Sequence, residues 1–431
     1  MSEEAPLKTL LAKVIDNRGR TCPTADDGMP LIATNCVHNT GLYPTFEKIR
    51  HVDEETYQGW FRGHPEPGDL IFVLKGTPGR VCLTPDPVTF CIAQDMVALR
   101  ADPAKVEPSY LFAALRSPQI QAAIGNLHVG SMIAHFKKGD FDRLMIPLPE
   151  KSTQKGIGDF YLEVSKKIEL NRRMSATLEE MARALYRSWF VDFDPVHARA
   201  AGLSPAHMTP TTAALFPDSF GPDGLPKGWT EEPIIEQSDW VNGAAYKNMH
   251  FARTPGALPV VKIAELKAGV TGNTKYTATD LGNKFRIGRG DLLFSWSGNP
   301  DTSIDAFIWA LGDAWLNQHI FAVRPNGKLS KAVLFSMLKF YMPEFAEIAR
   351  NKQTTGLGHI TRKDLEAFPV RIAPSEVLAV FEEEIEPLFE RYCLTLYETQ
   401  TLATLRDSLL PRLMSGDLRI REVVKKVEEV V

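Results

Sequence analysis

The sequence predicts an α/β (α+β) fold: two globular domains of mixed strands and helices, separated by two long antiparallel coiled-coil helices, with a pseudo-two-fold internal repeat. Three observations lead to this prediction. The chain of 431 residues repeats its motifs at an offset of about 224 residues. Each copy contains short β-like runs broken by Gly and Pro, and each copy closes on a long segment with heptad spacing.

The repeat is visible in three pairs of motifs. These pairs are 135–142 with 359–366, 94–100 with 318–324, and 68–72 with 290–294. Because a chain of this length is too long for one ordinary core, we predict a first domain over 1–150 and a second over 229–373.

Short runs of β-branched and aromatic residues predict the strands of both domains. In the first domain these runs are Pro30–Ala33, Asp69–Leu74, Val88–Ile92 and Met96–Leu99, followed by a helix over Ser109–Leu115. In the second they are Val260–Ile263, Leu292–Trp296 and Ile320–Val323, followed by a helix over Ala332–Leu338. Both domains are therefore expected to have a centre rich in strands.

A helical pattern replaces the strand pattern at 151–192 and again at 374–415. From Ile157 to Trp189, apolar or small residues follow the seam spacing of a coiled coil, and the shift by about 224 residues reproduces the seam with only Arg406 out of pattern. At ~1.5 Å per residue the first helix would be nearly 60 Å long. We expect the two helices to pack antiparallel, with Pro387 bending the second helix or marking its effective start.

Four polar residues lie near the middle of the two seams. Asn171 and Ser175 on the first helix, with Thr395 and Thr399 on the second, are predicted to form one polar layer that sets the register of the pair. The alternative is that these side chains point outward where the helices splay.

The remaining segments connect or end the chain. Residues 193–228 are rich in Pro, Gly and Ala and form a linker, whose aromatic residues predict that it is ordered on a surface. Residues 416–431 form a C-terminal tail. The first copy begins at Leu7 without the Pro-Lys-Gly-Trp lead of the second, so we expect its N-terminal edge to be shortened.

Composition narrows the class of protein. No apolar run is long enough to span a bilayer and no signal segment precedes the first copy, so we expect a soluble, cytoplasmic protein without a membrane partner. Five scattered cysteines argue against disulfides and zinc, and predict buried thiols. A net charge of -4 is unusual for a nucleic-acid binder, but basic clusters occur in both copies.

No catalytic constellation is present in the sequence. Phosphate-binding loops, dinucleotide-binding glycines and the motif that holds a target base for methyl transfer are all missing. A nuclease-like match, Glu265 and Lys267 with Asp223, has the wrong spacing and no partner in the first copy, so an ordinary half-exposed strand is the simpler interpretation. His135 and His359 occupy matching positions and predict a shared structural role. We expect a non-catalytic protein with no metal site.

Several motifs together resemble the specificity (S) subunits of type I restriction-modification systems. They are 167–171 leading into 177–179, 188–193, 216–220, 225–229 and the closing 409–416. The resemblance covers nearly the whole chain. It implies two target-recognition domains that each read one half of a split sequence in double-stranded DNA, with the two helices setting the gap between the halves.

The resemblance also implies the partners. Two methyltransferase (modification) subunits carrying S-adenosylmethionine would dock on the chain, and a restriction (translocase-nuclease) subunit using ATP and Mg is an optional further partner. The chain itself would bind no cofactor. Its modest charge predicts weak DNA binding without those partners. The alternative is a protein scaffold of similar architecture that binds no DNA. A scaffold of this kind would show no DNA binding at any salt concentration.

Polar and basic loop residues are the predicted DNA contacts, since base edges are read by such side chains. In the first copy they are Lys75, Thr77, Arg80, Ser131, Lys137 and Lys138. In the second they are Ser295, Ser297, Asn299, Lys352, Gln353, Thr354, Thr355, Arg362 and Lys363. The loop 352–355 is the preferred site, with a solvated loop as the alternative. The sequence of the DNA target and the length of its spacer do not follow from these residues.

Overall fold

The computed structural model describes residues 3–17, 21–46, 49–127, 134–353 and 356–422. The chain divides into two compact units, one formed by 1–171 with 401–431 and the other by 172–400. Each unit therefore contains one globule together with parts of both long helices.

In the described residues, the first unit contains nine strands and the start of the first long helix. The strands are β1 (Glu3–Pro6), β2 (Leu11–Asp16), β3 (Met29–Ile32), β4 (Arg50–Val52), β5 (Leu70–Val73), β6 (Val81–Leu83), β7 (Cys91–Ile92), β8 (Met96–Ala101) and β9 (Met145–Leu148). The helices are α1 (Glu54–Gly59), α2 (Pro108–Arg116), α3 (Pro118–Leu127) and the long α4 (Lys151–Phe190).

The rest of the chain contains the second set of elements. The helices are α5 (Asp194–Ala200), α6 (Pro210–Ala214), α7 (Ile263–Ala268), α8 (Lys331–Phe340), α9 (Met342–Asn351), α10 (Arg362–Ala367) and the long α11 (Ser375–Ser415). The strands are β10 (Thr230–Pro233), β11 (Ser238–Asn242), β12 (Leu258–Val261), β13 (Tyr276–Thr277), β14 (Arg286–Ile287), β15 (Leu292–Ser295), β16 (Ser297–Gly298), β17 (Asp305–Ile308), β18 (Ala314–Leu316), β19 (Ile320–Pro325), β20 (Gly358–His359) and β21 (Pro369–Ile372).

The sheets confirm the predicted repeat. A four-stranded sheet has the order β2-β8-β5-β6 in the first copy and β11-β19-β15-β17 in the second. In both copies a further strand, β3 or β12, lies between an antiparallel neighbour and a parallel one. The matched motifs form the two inner strands of the four-stranded sheets, because Phe72 pairs with Val97 in one copy and Phe294 with Phe321 in the other.

The long helices pack antiparallel within each unit, as predicted. In the first unit Ile157 and Tyr161 share a core with Leu409 and Leu413, and further along α4 Ile168 packs with Leu402. As the residue number rises on one helix it therefore falls on the other. In the second unit the same relation holds where Trp189 lies 5.2 Å from Phe381 between ring centroids. Helix α11 is continuous through Pro387, so it does not start there.

Arg406, the residue out of pattern, is buried within the helix pair. Its guanidinium lies 5.3 Å from the centre of the Tyr161 ring, and its Nη1 donates to the Ser165 hydroxyl at 3.4 Å. A hydrogen bond to Asp407 at 2.8 Å satisfies Nε. The seam thus tolerates a cation because an aromatic face and two oxygen acceptors surround it.

The linker is ordered against the core of the second unit, as its aromatic residues predict. Phe193, Val196 and Phe216 are buried in the core that also contains Trp189. The rings of Phe216 and Trp189 meet edge to face, with their centroids 5.0 Å apart. Burial of these apolar side chains holds a segment that has little regular structure.

One prediction about local structure is wrong. Residues 263–268 form helix α7 where we predicted a half-exposed strand, because Glu265 accepts the backbone N–H of Lys262 at 3.0 Å and caps the helix. The strand that follows the lead of the second copy has a counterpart in the first, since β1 pairs with β9 as β10 pairs with β21. In the described parts of the chain, no helix is long and apolar enough to cross a membrane.

Candidate nucleic-acid interface

In each copy, the segment that follows the inner strand β5 or β15 pairs with the segment that contains the histidine. Lys75 forms a β-bridge with His135 in the first copy, and Ser297 pairs with His359 in the second. The two histidines therefore serve the same backbone pairing, as their matching positions predict. Because of this pairing, the predicted contacts that follow each histidine lie beside the loop at Lys75 or at Ser297.

Several predicted contacts of the first copy already have partners within the protein. The ammonium group of Lys138 pairs with the carboxylate of Asp16, and Nη1 of Arg62 lies 3.9 Å from the same carboxylate. Arg80 is half-buried and its Nη1 reaches the Val37 carbonyl only at 3.5 Å. Lys137 is exposed, whereas Lys75 and Thr77 are half-buried. Ser131 lies outside the described residues.

The second copy brings Ser297, Asn299 and the end of α9 together. A Cβ added to Gly358 would lie 2.3 Å from the Ala349 carbonyl and 3.0 Å from Pro300, so the strand β20 passes close to both α9 and the Asn299 loop. Asn299 is exposed and its Oδ1 accepts the Asp301 N–H at 3.0 Å. Gln353 is exposed at the end of α9.

Lys352, in the preferred loop, is engaged in an ion pair. Its ammonium group contacts Asp364, which also accepts hydrogen bonds from the amide and hydroxyl of Thr361, each at 2.6 Å. Burial opposes ionisation of Asp364, but Lys352 and Thr361 overcome it and hold the pKa of that carboxyl below its usual value. Lys352 therefore stabilises the start of α10. Thr354 and Thr355, from the same loop, lie outside the described residues.

The prediction that Ser295 contacts DNA is wrong. Its side chain is fully buried in β15, and its hydroxyl has no hydrogen-bond partner among the described residues. The physical reason is the alternation of side chains along a strand: Ser295 shares a face of β15 with Leu293 and pairs with Ile320, and both of these belong to a buried core. Arg362 and Lys363 are exposed at the start of α10, by contrast, and remain accessible.

Sequence reasoning missed a groove next to Arg362. We call it the tryptophan groove; it has a volume of about 660 Å³ and is lined by Trp240, Val241, Asn242, Gly243, Lys284, Phe285, Trp296, Phe321, Ile360, Thr361 and Arg362. Trp296 is held by a hydrogen bond of 3.0 Å from its Nε1 to the Asn242 side chain. One signal was available, since Trp296 lies between the two serines that the sequence singled out.

The tryptophan groove continues into a second cavity. That cavity, of about 540 Å³, shares Trp240, Val241 and Arg362 with it and adds Ser238 and the acidic residues Glu236 and Asp239. Both cavities follow β11, which is the edge strand of its sheet. The tryptophan groove is therefore aromatic and basic, the second cavity adds two acids, and Arg362 lines both.

Among the polar residues of the helix seams, Thr395 makes one contact within its own helix and one with the other helix. The hydroxyl of Thr395 donates to the Arg391 carbonyl of its own helix at 2.7 Å and lies 3.7 Å from the Met174 sulfur. Ser175 is buried and its hydroxyl has no hydrogen-bond partner within the described ranges. Asn171 is buried and Thr399 is half-buried. A layer joining all four residues stays a prediction.

The side chains considered above as candidates for catalysis or metal binding have structural roles. Glu265 is mostly buried and accepts the Thr274 hydroxyl at 3.0 Å as well as the capping amide. All five cysteines are buried without disulfides, as predicted, and burial raises the pKa of both Cys82 and Cys91 to about 12. Among the residues that the structure describes, no group of three or more His, Cys, Asp or Glu side chains is placed to hold a metal ion.

Comparison with known proteins supports the same class. The model of the type I restriction modification DNA specificity domain matches residues 21–180 and again 226–385. The specificity subunit of the type I restriction enzyme HindI from Haemophilus influenzae is 23% identical over 409 residues, which is 81% of this chain and 86% of that protein. The specificity subunit of the MjaIX enzyme from Methanocaldococcus jannaschii is 22% identical over 326 residues, 74% of this chain and 71% of that protein.

A solved structure shares the fold. The crystal structure of the S subunit of a type I restriction-modification system from M. genitalium aligns with a TM-score of 0.56 at 14% identity, covering 96% of each chain. At this identity the likeness concerns the arrangement of helices and strands.

Proposed function

The chain belongs to the family of type I restriction-modification DNA specificity subunits, and on that premise we propose that it reads a bipartite DNA target, with one half-site for each of its two copies. Two methyltransferase subunits would dock on it and supply S-adenosylmethionine and the chemistry. A restriction subunit using ATP and Mg would be a further partner where one is present. The chain itself would contribute recognition and no catalytic group.

One observation carries this proposal: the two copies keep the same framework but differ where the loops meet. The four-stranded sheets have the same order of strands. At equivalent positions, however, Lys75 of the first copy corresponds to Ser297, and Lys138 corresponds to Arg362. Such a pattern is what two readers of different DNA sequences require, because base edges are distinguished by the donors and acceptors that meet them.

The test is to express the chain with its methyltransferase subunits in a host that lacks adenine methylation, and to map the methylated adenines in the host genome. We expect one motif with two specified segments separated by unspecified base pairs. A single contiguous motif would contradict the bipartite proposal.

A complementary measurement addresses the scaffold alternative. The affinity of the assembled complex for a duplex carrying the mapped motif should fall steeply between low and moderate salt, with a slope of about −0.9 per phosphate contact. A complex that assembles but binds no duplex at any salt would instead indicate a scaffold.

A further inference from the structure

We propose that the tryptophan groove of the second unit is a DNA-binding site in which Arg362 reads a guanine, and that Lys138, its counterpart in the first copy, is withheld from DNA by an internal ion pair. The inference rests on the proposed DNA-reading function and deepens it, because it assigns base reading in one half-site to a particular side chain. The observation behind the proposal is that the exposed guanidinium of Arg362 lies at one groove with the indoles of Trp240 and Trp296, and that Nε1 of Trp240 has no acceptor among the described residues.

Arg362 is free to turn toward a ligand. Its side chain is 69% exposed, and its ion pair is with Glu366, which is 50% exposed and lies one turn further along α10. An exposed pair of this kind is weak, because water and salt screen both charges. A guanidinium can therefore exchange Glu366 for the O6 and N7 atoms of guanine, which its paired N–H groups match.

The lining of the groove adds a second cation and apolar surface. Lys284 is exposed, and its ammonium lies 5.1 Å above the Phe285 ring. Trp296 is fixed by Asn242, so its indole is presented in one orientation without further ordering. An ammonium beside fixed aromatic surface suits a DNA strand, since the cation meets a phosphate while the rings meet bases or the thymine methyl group.

Unpartnered polar atoms at the groove are a separate observation. Nε1 of Trp240 has no acceptor among the described residues, and neither does the hydroxyl of Ser238, whose residue is only 4% exposed. Both residues line the cavities described above. Buried donors without acceptors are costly in a folded protein, and water or a ligand entering these cavities would supply an acceptor once a small movement exposes the two groups.

The first copy shows how the same position can be closed. Sheet register makes Asp16 the counterpart of Asn242, because Asp16 pairs with Val97 on β8 and Asn242 with Phe321 on β19. The carboxylate of Asp16 holds Lys138, whereas the amide of Asn242 accepts from Trp296. The cation three residues after the histidine is therefore paired with a carboxylate of another strand, 26% exposed, in the first copy, and with a carboxylate of its own helix, 50% exposed, in the second.

Charge favours DNA over a peptide strand as the occupant. The edge strand β11 has the geometry to accept an added strand. Lys284 and Arg362, however, attract phosphate, whereas Glu236 and Asp239, which line the second cavity together with Arg362, repel it.

The test uses the full complex and a duplex carrying the motif mapped from genomic methylation. Binding is measured by fluorescence anisotropy for Arg362→Ala, Arg362→Lys and Lys138→Ala. The matched control is Arg187→Ala, because Arg187 is also in the second unit, is 64% exposed and pairs with one nearby acid. Thermal unfolding of each complex establishes that the variants fold.

We expect Arg362→Ala to weaken binding by roughly ten- to a hundredfold and to relax discrimination at one base pair of a single half-site, as loss of one bidentate contact would. Arg362→Lys should keep the salt dependence and lose the discrimination. Lys138→Ala and Arg187→Ala should each change affinity less than about twofold, the size expected for an exposed pair. Asp16→Asn, which imitates the second copy, should release Lys138 and steepen the salt slope by about 0.9.

The outcomes separate this inference from the proposed function. If the wild-type complex binds its duplex but Arg362→Ala behaves like Arg187→Ala, the groove assignment is overturned and the proposed function stands. If Arg362→Ala instead breaks complex assembly and leaves DNA affinity per assembled complex unchanged, the groove binds a polypeptide and the inference fails. A wild-type complex that binds no duplex overturns the proposed function itself.

Discussion

Lys339 offers a quantitative test of what joins the long helix α4 to the second globule. The residue is 9% exposed, and its ammonium lies 2.9 Å from Asp305 on β17 and 3.2 Å from Glu179 on α4. The change Lys339→Met removes the charge while keeping the length and apolar character of the side chain. It leaves two carboxylates facing each other without the cation that they share.

The magnitude follows from these distances. At an effective dielectric constant of about 20, each pair contributes roughly 5 kcal/mol of gross attraction. Desolvation of the ammonium offsets much of this, and the two carboxylates, 25% and 35% exposed, are screened by solvent. We therefore expect Lys339→Met to lower the free energy of unfolding of the second unit by about 2 kcal/mol.

The assay is urea unfolding followed by tryptophan fluorescence. Of the 7 tryptophans, only Trp60 lies outside 172–400, so the signal reports mainly on the second unit. Lys328→Met is the control, because Lys328 also contacts two acids but is 46% exposed, and we expect it to cost less than about 0.5 kcal/mol.

Adding Glu179→Gln to Lys339→Met distinguishes electrostatics from packing. Because the second change removes one of the two repelling carboxylates, the double variant should be more stable than Lys339→Met alone. A double variant that is less stable than Lys339→Met would refute the reasoning, as would a Lys339→Met protein as stable as the wild type.

Three further predictions concern other parts of the chain. Trp189→Ala should cost about 3–5 kcal/mol and raise hydrogen exchange around Phe216, since it removes a buried ring that the linker packs on. Gly358→Ala should lower the thermal unfolding midpoint because the added methyl meets a backbone carbonyl at 2.3 Å, whereas Gly312→Ala, with open space around it, should not. Burial and neighbouring carboxylates raise the pKa of Glu386, so the folded chain takes up that proton more readily than the unfolded chain. The contribution of Glu386 to stability should therefore rise as pH falls from neutral toward 4.5, and in urea titrations the stability of the wild type relative to Glu386→Gln should rise over the same range.

The framework was predictable from sequence because its signals are periodic and duplicated. The matched motifs predicted the paired inner strands, and the seam residues from Ile157 to Trp189 predicted which faces of the helices are buried. The prediction for residues 263–268 failed because a short apolar run does not distinguish a strand from a helix. The capping contact between Glu265 and Lys262 favours the helix. Local hydrogen bonding outweighed pattern there.

The interface was less predictable, because the accessibility of a charge depends on residues far away in sequence. Lys352 and Lys138 were both reasonable contacts as isolated loop lysines. Each has a carboxylate partner: Asp364 lies 12 residues from Lys352, and Asp16 lies 122 residues from Lys138. A basic residue in a loop therefore has to be weighed against the carboxylates that the fold brings to it and against how exposed each pair is.

The position of Asp16 shows why the difference between the copies escapes sequence comparison. A constant offset of about 224 residues sets Asp16 against Trp240. The sheet register instead sets Asp16 against Asn242, two residues further on. A shift of two residues keeps the side chain on the same face of the strand, so the pattern of buried residues is preserved and gives no warning. Pairing the strands sets Asp16, an acid that binds a lysine, against Asn242, an amide that binds a tryptophan. The constant offset does not show this difference. Recognition residues in such duplicated chains are therefore better compared by strand register than by sequence offset.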